Sequence, residues 1–192
     1  MHQTKEMMTM MQRITDLDFQ ILLWIQQNIR GEDATDFWES MTDLGNMGAI
    51  WIAIALALFI YRRTRLCGAT AMLAIVINTL VANVILKNWV ARPRPFITHP
   101  ELHPLIHLPA DFSFPSGHTS CAFAVAFVIC ALLPKRYSIP ALLVAAFVGL
   151  SRLYLGVHYP TDVLAGVLIG FGAAKLAIWC VRRCKRQWRR DS

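Results

Sequence analysis

Five runs of apolar residues lie along the chain, at 47–61, 66–86, 118–133, 139–155 and 163–181, with polar or charged clusters between them. Each is close to the roughly 20 residues a helix needs to cross a bilayer core, or reaches that length with its flanks. A weaker sixth run, 17–29, is interrupted by Gln20, Gln26, Gln27 and Asn28. It is short for a crossing and is expected to tilt, to lie in the interface or to shelter against the other helices. Residues 32–43 set five acids (Glu32, Asp33, Asp36, Glu39, Asp43) among Phe37, Trp38 and Met41, which predicts a short amphipathic surface helix. The pattern therefore predicts an all-α polytopic membrane helix bundle of about six transmembrane helices. It forms one domain over 1–192: an N-terminal helix with the amphipathic segment (1–46), the main bundle (47–181) and a basic tail (182–192).

Composition supports that class. Hydrophobic residues make up 56% of the 192 and charged residues 16%, against roughly 45–50% and 25% in soluble domains. A disordered chain, a disulfide-rich scaffold and an ordinary cytosolic domain are excluded. The first residues lack a compact apolar core followed by a small-residue cleavage site, so no removable signal peptide is expected. The five cysteines, Cys67, Cys121, Cys130, Cys180 and Cys184, show no CxxC pair or zinc spacing and are expected as small buried hydrophobes.

The net charge of +7 changes the picture only through its distribution. Eleven of the nineteen basic residues fall at one set of helix ends: Arg62, Arg63, Arg65, Lys135, Arg136, Arg182, Arg183, Lys185, Arg186, Arg189 and Arg190. Positive-inside bias puts that face, and the C-terminus, in the cytoplasm. No nucleic-acid partner is expected. The run 182–190 could clamp anionic lipid but is expected simply to stop translocation at the headgroups.

The opposite face carries the chemistry. Lys87, Arg92, Arg94 and Arg152 sit at or just beyond the ends of apolar helices, where ionisable groups are expensive and mark function. Helix alternation returns the segments 87–95, 115–118 and 151–162 to this one face. Clustered cations repel one another unless an anion sits among them, and phosphate is the anion that Arg forks fit best. Ser116 and Gly117 fall at the start of the 118–133 helix, where free N–H groups and the positive dipole end favour an anion; Ser116 is a natural N-cap. Pro160 predicts a helix start, leaving His158 on the turn and Asp162 in the first helical turn, placed to accept from the imidazole N–H. The other ring nitrogen is then free as nucleophile or base. His99, His103 and His107 are spaced by four, but Pro100, Pro104 and Pro109 interrupt them. That stretch is expected to line the entrance or fold over the site, not to bind a metal.

The spacing Lys87-x6-Arg94-Pro95, then Pro115-Ser116-Gly117-His118, then Ser151-Arg152-x5-His158-x3-Asp162 resembles the three-part signature of the type 2 phosphatidic acid phosphatase (PAP2) superfamily. The likeness extends to its membrane lipid phosphatases and, more distantly, to glucose-6-phosphatase and the vanadium haloperoxidases. The resemblance implies a PAP2/haloperoxidase-like core and a role for each matching position. Lys87, Arg94 and Arg152 would hold the phosphate oxygens, with Ser116 and the Gly117 N–H completing the cradle. His158, oriented by Asp162, would form a phosphohistidine. His118 would protonate the leaving oxygen and then activate water. No metal or other cofactor is implied, because three cations neutralise the charge. Arg92 lies outside the signature and is expected as a secondary headgroup contact. In several small relatives acting on undecaprenyl diphosphate the residue before the motif histidine is acidic. Gly117 stands there in this chain, the form common among phosphomonoester-lipid phosphatases.

The expectation is thus a metal-independent lipid phosphatase of the cell membrane, with its site on the periplasmic or extracellular side. Its partners would be the bilayer and a lipid phosphate: undecaprenyl diphosphate, phosphatidylglycerol phosphate or phosphatidic acid. A lipid phosphotransferase would use the same residues. A transporter with an anion site is the reading from another class, opposed by the lack of an inverted repeat and by polar groups collecting at one end. Gly166-x3-Gly170 is expected to serve packing within the chain, and the oligomeric state stays open.

Overall fold

The computed structural model describes residues 2–43 and 48–191. In chain order the helices are α1 (His2–Asn28), α2 (Glu32–Asp43), α3 (Ala49–Ile60), α4 (Arg65–Asn78), the short α5 (Lys87–Val90) and α6 (Pro95–Thr98), α7 (Gly117–Leu132), α8 (Lys135–Tyr154) and α9 (Pro160–Asp191). A π-helical stretch, Thr79–Leu86, joins α4 to α5 without a break. No strand occurs among the described residues.

Each apolar run predicted from the sequence falls within one of these helices, apart from end residues, or within the continuous α4–π–α5 rod. Three stretches are long and apolar enough to cross a membrane: Arg65–Thr98, Lys135–Tyr154 and Pro160–Gln187. Ala49–Ile60 and Gly117–Leu132 are apolar but shorter. The 17–29 run is the second half of α1, and one face of it packs: Leu22, with Phe19 and Leu23, meets Leu102 and Tyr159, whereas Leu17, Trp24 and Ile29 are exposed. The basic tail is not a separate segment, because α9 runs helically to Asp191. Cys67 and Cys121 are buried as expected, whereas Cys184 is exposed.

α7 is the hub. Its Ala122, Ala124, Val125, Ala126 and Val128 are fully buried, as befits a helix apolar all round. Small residues let its neighbours approach. A β-carbon on Gly166 would lie 2.9 Å from the Ser116 carbonyl, and one on Gly170 2.6 Å from that of Ser120. The Gly166-x3-Gly170 pair therefore seats α9 on the backbone of α7.

α2 is a helix, as predicted, but it docks on α8 as well as carrying an acidic face. Trp38 stacks on Tyr154 at 5.3 Å and lies 6.2 Å from Phe147. The last turns of α1 are tied in by Arg30, whose Nε donates to the Tyr154 carbonyl (2.8 Å) and Nη1 to that of His103 (2.5 Å). α4 and α8 begin at basic clusters and run to the opposite end of the bundle, where Lys87 and Arg152 stand. At that end Leu155 and Val157 pack with Trp38, Leu105 and Ile106, so α2, the 99–116 loop and the turn after α8 form one cluster.

Candidate active site

Six of the eight residues selected from the sequence line one cavity of about 650 Å³: Lys87, Arg94, Gly117, His118, Arg152 and His158. Ile52, Ile75 and Cys121 add apolar lining. The other two, Ser116 and Asp162, are fully buried behind it. A second cavity of about 580 Å³ shares His118, Arg152 and Pro109 with the first and adds Glu39, Thr42 and His107.

Local backbone explains how each group arrives. α5 ends at Ala91, which takes a left-handed φ of 48° and closes a bond from its N–H to the Lys87 carbonyl (3.0 Å). Such a φ is unfavourable for a residue with a β-carbon by roughly 1–2 kcal/mol. The chain then runs through Pro93 to Arg94, which opens α6 in extended conformation. At the end of α8, Gly156 adopts a left-handed φ of 74°, where the chain leaves the helix for Val157 and His158. Ser116 is the N-cap of α7 by position, but its hydroxyl accepts from Thr119 Oγ1 (2.9 Å) instead of capping a backbone N–H. The Ser116 N–H donates to the Asp162 carbonyl (3.1 Å), binding the second and third motifs together.

His158 is 1% exposed. Arg94 Nη1 lies 3.4 Å from its Nε2. A guanidinium can only donate, so this contact assigns the proton to Nδ1 and leaves Nε2 as the accepting nitrogen. Nδ1 faces Asp162 Oδ2 at 3.7 Å. The sequence reading expected a hydrogen bond here; the pair is adjacent, but 3.7 Å is too long for one. Asp162 Oδ2 is instead taken by Ser113 Oγ (2.5 Å) and the Tyr159 N–H (3.0 Å). Burial, reinforced by the charges of Arg94 and Arg152 and opposed by Asp162, pushes the His158 imidazole down to about 4. It is neutral at neutral pH.

Arg94 is 3% exposed and tightly held. Its Nη1 donates to the Val157 carbonyl (2.7 Å) and its Nε to the Asp111 carbonyl (2.8 Å). Nη2 donates to Asp111 Oδ1 at 2.5 Å, and Lys87 Nζ donates to Asp111 Oδ2. Partial burial would raise the Asp111 carboxyl, but these two cations outweigh it and hold it at about 2. Arg152 Nη1 donates to Thr42 Oγ1 on α2. His118 Nε2 is buried with no hydrogen-bond partner among the described residues. A β-carbon at position 117 would sit 2.8 Å from Oδ1 at the end of the Asn83 side chain.

Arg92, expected from the sequence as a secondary headgroup contact, does not line the cavity. Its Nη1 donates to Asp162 Oδ1 and Thr161 Oγ1 (2.7 Å each), and its Nη2 to Asp18 Oδ2 (2.8 Å). The guanidinium also lies 3.8 Å from the centre of the Tyr159 ring. Asp18, on α1, further accepts from the Thr161 N–H (3.0 Å) and hydroxyl (2.5 Å).

Four contributors escaped the sequence reading: Asp111, Asp18, Thr42 and Asn83. Only Asp18 left a usable signal, as the one ionisable residue inside the 17–29 run. The three loop histidines do not converge. His99 stacks on Phe19 at 4.0 Å, the His103 N–H donates to Gln26 Oε1, and His107 lines the second cavity. The 99–116 loop does fold over the site, bringing Pro109, Asp111 and Phe112 to the cavity.

The PAP2 superfamily model matches residues 68–186. The chain is 35% identical over 129 residues to the undecaprenyl-diphosphatase of Sulfolobus acidocaldarius, covering 67% of this chain and 62% of that protein. It is 36% identical over 148 residues to phosphatidylglycerophosphatase B of Bacillus subtilis, covering 69% of each. Among solved structures, the transmembrane PAP2 type phosphatidylglycerolphosphate phosphatase of Bacillus subtilis superposes with a TM-score of 0.73 at 30% identity, covering 89% of this chain and 87% of that one.

Proposed function

The chain belongs to the PAP2 superfamily, and from that premise we propose that it is a metal-independent lipid phosphatase working through a phosphohistidine. The observation that carries the reading is the single cavity into which Lys87, Arg94, His118, Arg152 and His158 converge from three separate motifs. The phosphatases named among its relatives support the reaction class.

In this mechanism the phosphate enters with its oxygens on Lys87, Arg94, Arg152 and the Gly117 N–H. These groups stabilise the charge of the transition state, the role a divalent ion plays elsewhere. His158 Nε2 attacks phosphorus as the bond to the lipid oxygen breaks. Asp162, behind the ring, stabilises the positive charge that develops on the imidazole. His118 gives the leaving oxygen its proton. Water then attacks the phosphohistidine while His118 takes the water's proton, the P–N bond breaks, and orthophosphate leaves. Ser116 holds the start of α7 against the Asp162 segment, which fixes the distance between the two histidines.

The chain acts as one integral-membrane domain, with 47–181 as its catalytic bundle. Positive-inside bias puts Arg62, Lys135 and the α9 end in the cytoplasm and the cavity at the outer face. The substrate is a membrane lipid phosphate: undecaprenyl diphosphate, phosphatidylglycerol phosphate or phosphatidic acid. The test is phosphate release by purified protein in detergent with EDTA present, from each of these lipids, beside His158→Ala. Release that falls at least ~10³-fold in the variant is the expected result. Activity that vanishes with EDTA and returns with a metal overturns the mechanism, as does near-wild-type turnover in His158→Ala.

A further inference from the structure

Two of the cations lining the cavity, Lys87 and Arg94, share one anion, and the chain supplies it itself. The Asp111 carboxylate bridges Lys87 and Arg94, one oxygen to each. Phosphate oxygens would form the same fork with the same two donors.

The cations and the carboxylate differ in how they are held. Lys87 and Arg94 are 12% and 3% exposed, whereas the Asp111 side chain is 52% exposed at the cavity rim. Arg94 does not depend on that carboxylate for its position. Two backbone carbonyls, of Val157 and of Asp111 itself, already hold Nη1 and Nε. The second of these also keeps the loop anchored, so the carboxylate can rotate into water while the Asp111 backbone stays in place.

We propose that the Asp111 carboxylate is an internal competitor: it occupies the Lys87–Arg94 edge of the phosphate cradle in the empty enzyme and weakens the site for phosphate. This rests on the phosphatase reading above. Two anions sharing one pair of cations repel each other. An incoming phosphate therefore displaces the carboxylate, and the returning carboxylate helps expel orthophosphate at the end of the cycle. Held at about 2, the group is ionised throughout the neutral range, so the competition is permanent and not a pH switch. The affinity cost is general, because it falls on the phosphate and not on the lipid.

The test is the affinity for inorganic phosphate of the full-length protein in detergent, for wild type, Asp111→Asn and Asp111→Ala, measured directly by calorimetry and as product inhibition of lipid turnover. Both variants are expected to bind orthophosphate about tenfold more tightly, about 1.4 kcal/mol, and to show a lower KM. Two variants guard against the new amide making its own bond to the cations. Unchanged or weaker orthophosphate binding in both, with wild-type lipid turnover intact, overturns the competitor role and makes Asp111 a positioning residue. Absence of turnover in the wild type overturns the phosphatase reading, and this proposal with it.

Discussion

Arg92 and Arg94 stand two residues apart on one link between α5 and α6, and each pairs with a carboxylate. Arg92 meets Asp18 and Asp162, whose side chains are 3% and 0% exposed. Arg94 meets Asp111, which is 52% exposed. The chemistry of the two pairings is the same; the burial of the acid is not. A carboxylate sealed inside the fold cannot leave its cation without an uncompensated charge, so the Arg92 cluster acts as a permanent joint between α1 and the turn carrying His158. A carboxylate at a cavity rim can be replaced by another anion at little cost. Exchangeability, and with it function, is set by the partner and not by the arginine.

The comparison can be broken most directly on its closed side. Arg92→Ala leaves Asp18 and Asp162 buried without their cation, and about 3–5 kcal/mol of stability should be lost. Thermal unfolding in detergent reads this directly, and a midpoint close to wild type would mean the joint is not structural. On the open side, Arg94→Gln should lower kcat/KM by about 10²–10³, the usual loss for one transition-state donor, with a much smaller change in thermal midpoint. Reversal of these two signatures would undo the distinction.

The pH profile sharpens it further. Protonation of His158 removes the nucleophilic lone pair, so kcat/KM should fall as pH drops through about 4. At pH 5 a histidine with the ordinary value of 6.5 would already have lost about 30-fold. Wild type should keep most of its activity there. Arg94→Gln removes one of the charges that depress the imidazole, so its acid limb should move up. An acid limb at 6.5 in wild type would contradict the buried, cation-flanked setting. The smallest effect is expected at the rim. Thr42→Val deletes a single acceptor of Arg152 and should reduce kcat/KM by less than about tenfold, measured with the same lipid assay.

Most of the helices and the residues of the cavity were legible in the chain. Apolar runs separated by charged clusters predict α3, α4, α7, α8 and α9 because bilayer thickness and helix rise leave few other solutions. Lys87, Arg94, His118, Arg152 and His158 were legible because they fall at the spacing of the three-part signature, at apolar helix ends where ionisable groups are expensive. Asp111 and Thr42 were not, since an acid in an outer loop and a threonine on an amphipathic helix are ordinary there. Arg92 was visible but misassigned. Its place in the sequence resembles that of Arg94, and only the position of Asp18, about seventy residues away on α1, distinguishes them.

By itself, then, the sequence determined the helical membrane class, the clustering of three motifs at one end and the residue types that meet there. These follow from local quantities: run length, charge at helix ends and turn residues. The tertiary structure alone decided which carboxylates Lys87, Arg92 and Arg94 took, that Nδ1 of His158 faces Asp162 without a hydrogen bond, and that a loop aspartate bridges Lys87 and Arg94. Those outcomes depend on contacts between residues far apart in sequence. A charge in a low-dielectric interior is committed to whichever counter-charge the packing of the helices brings within reach.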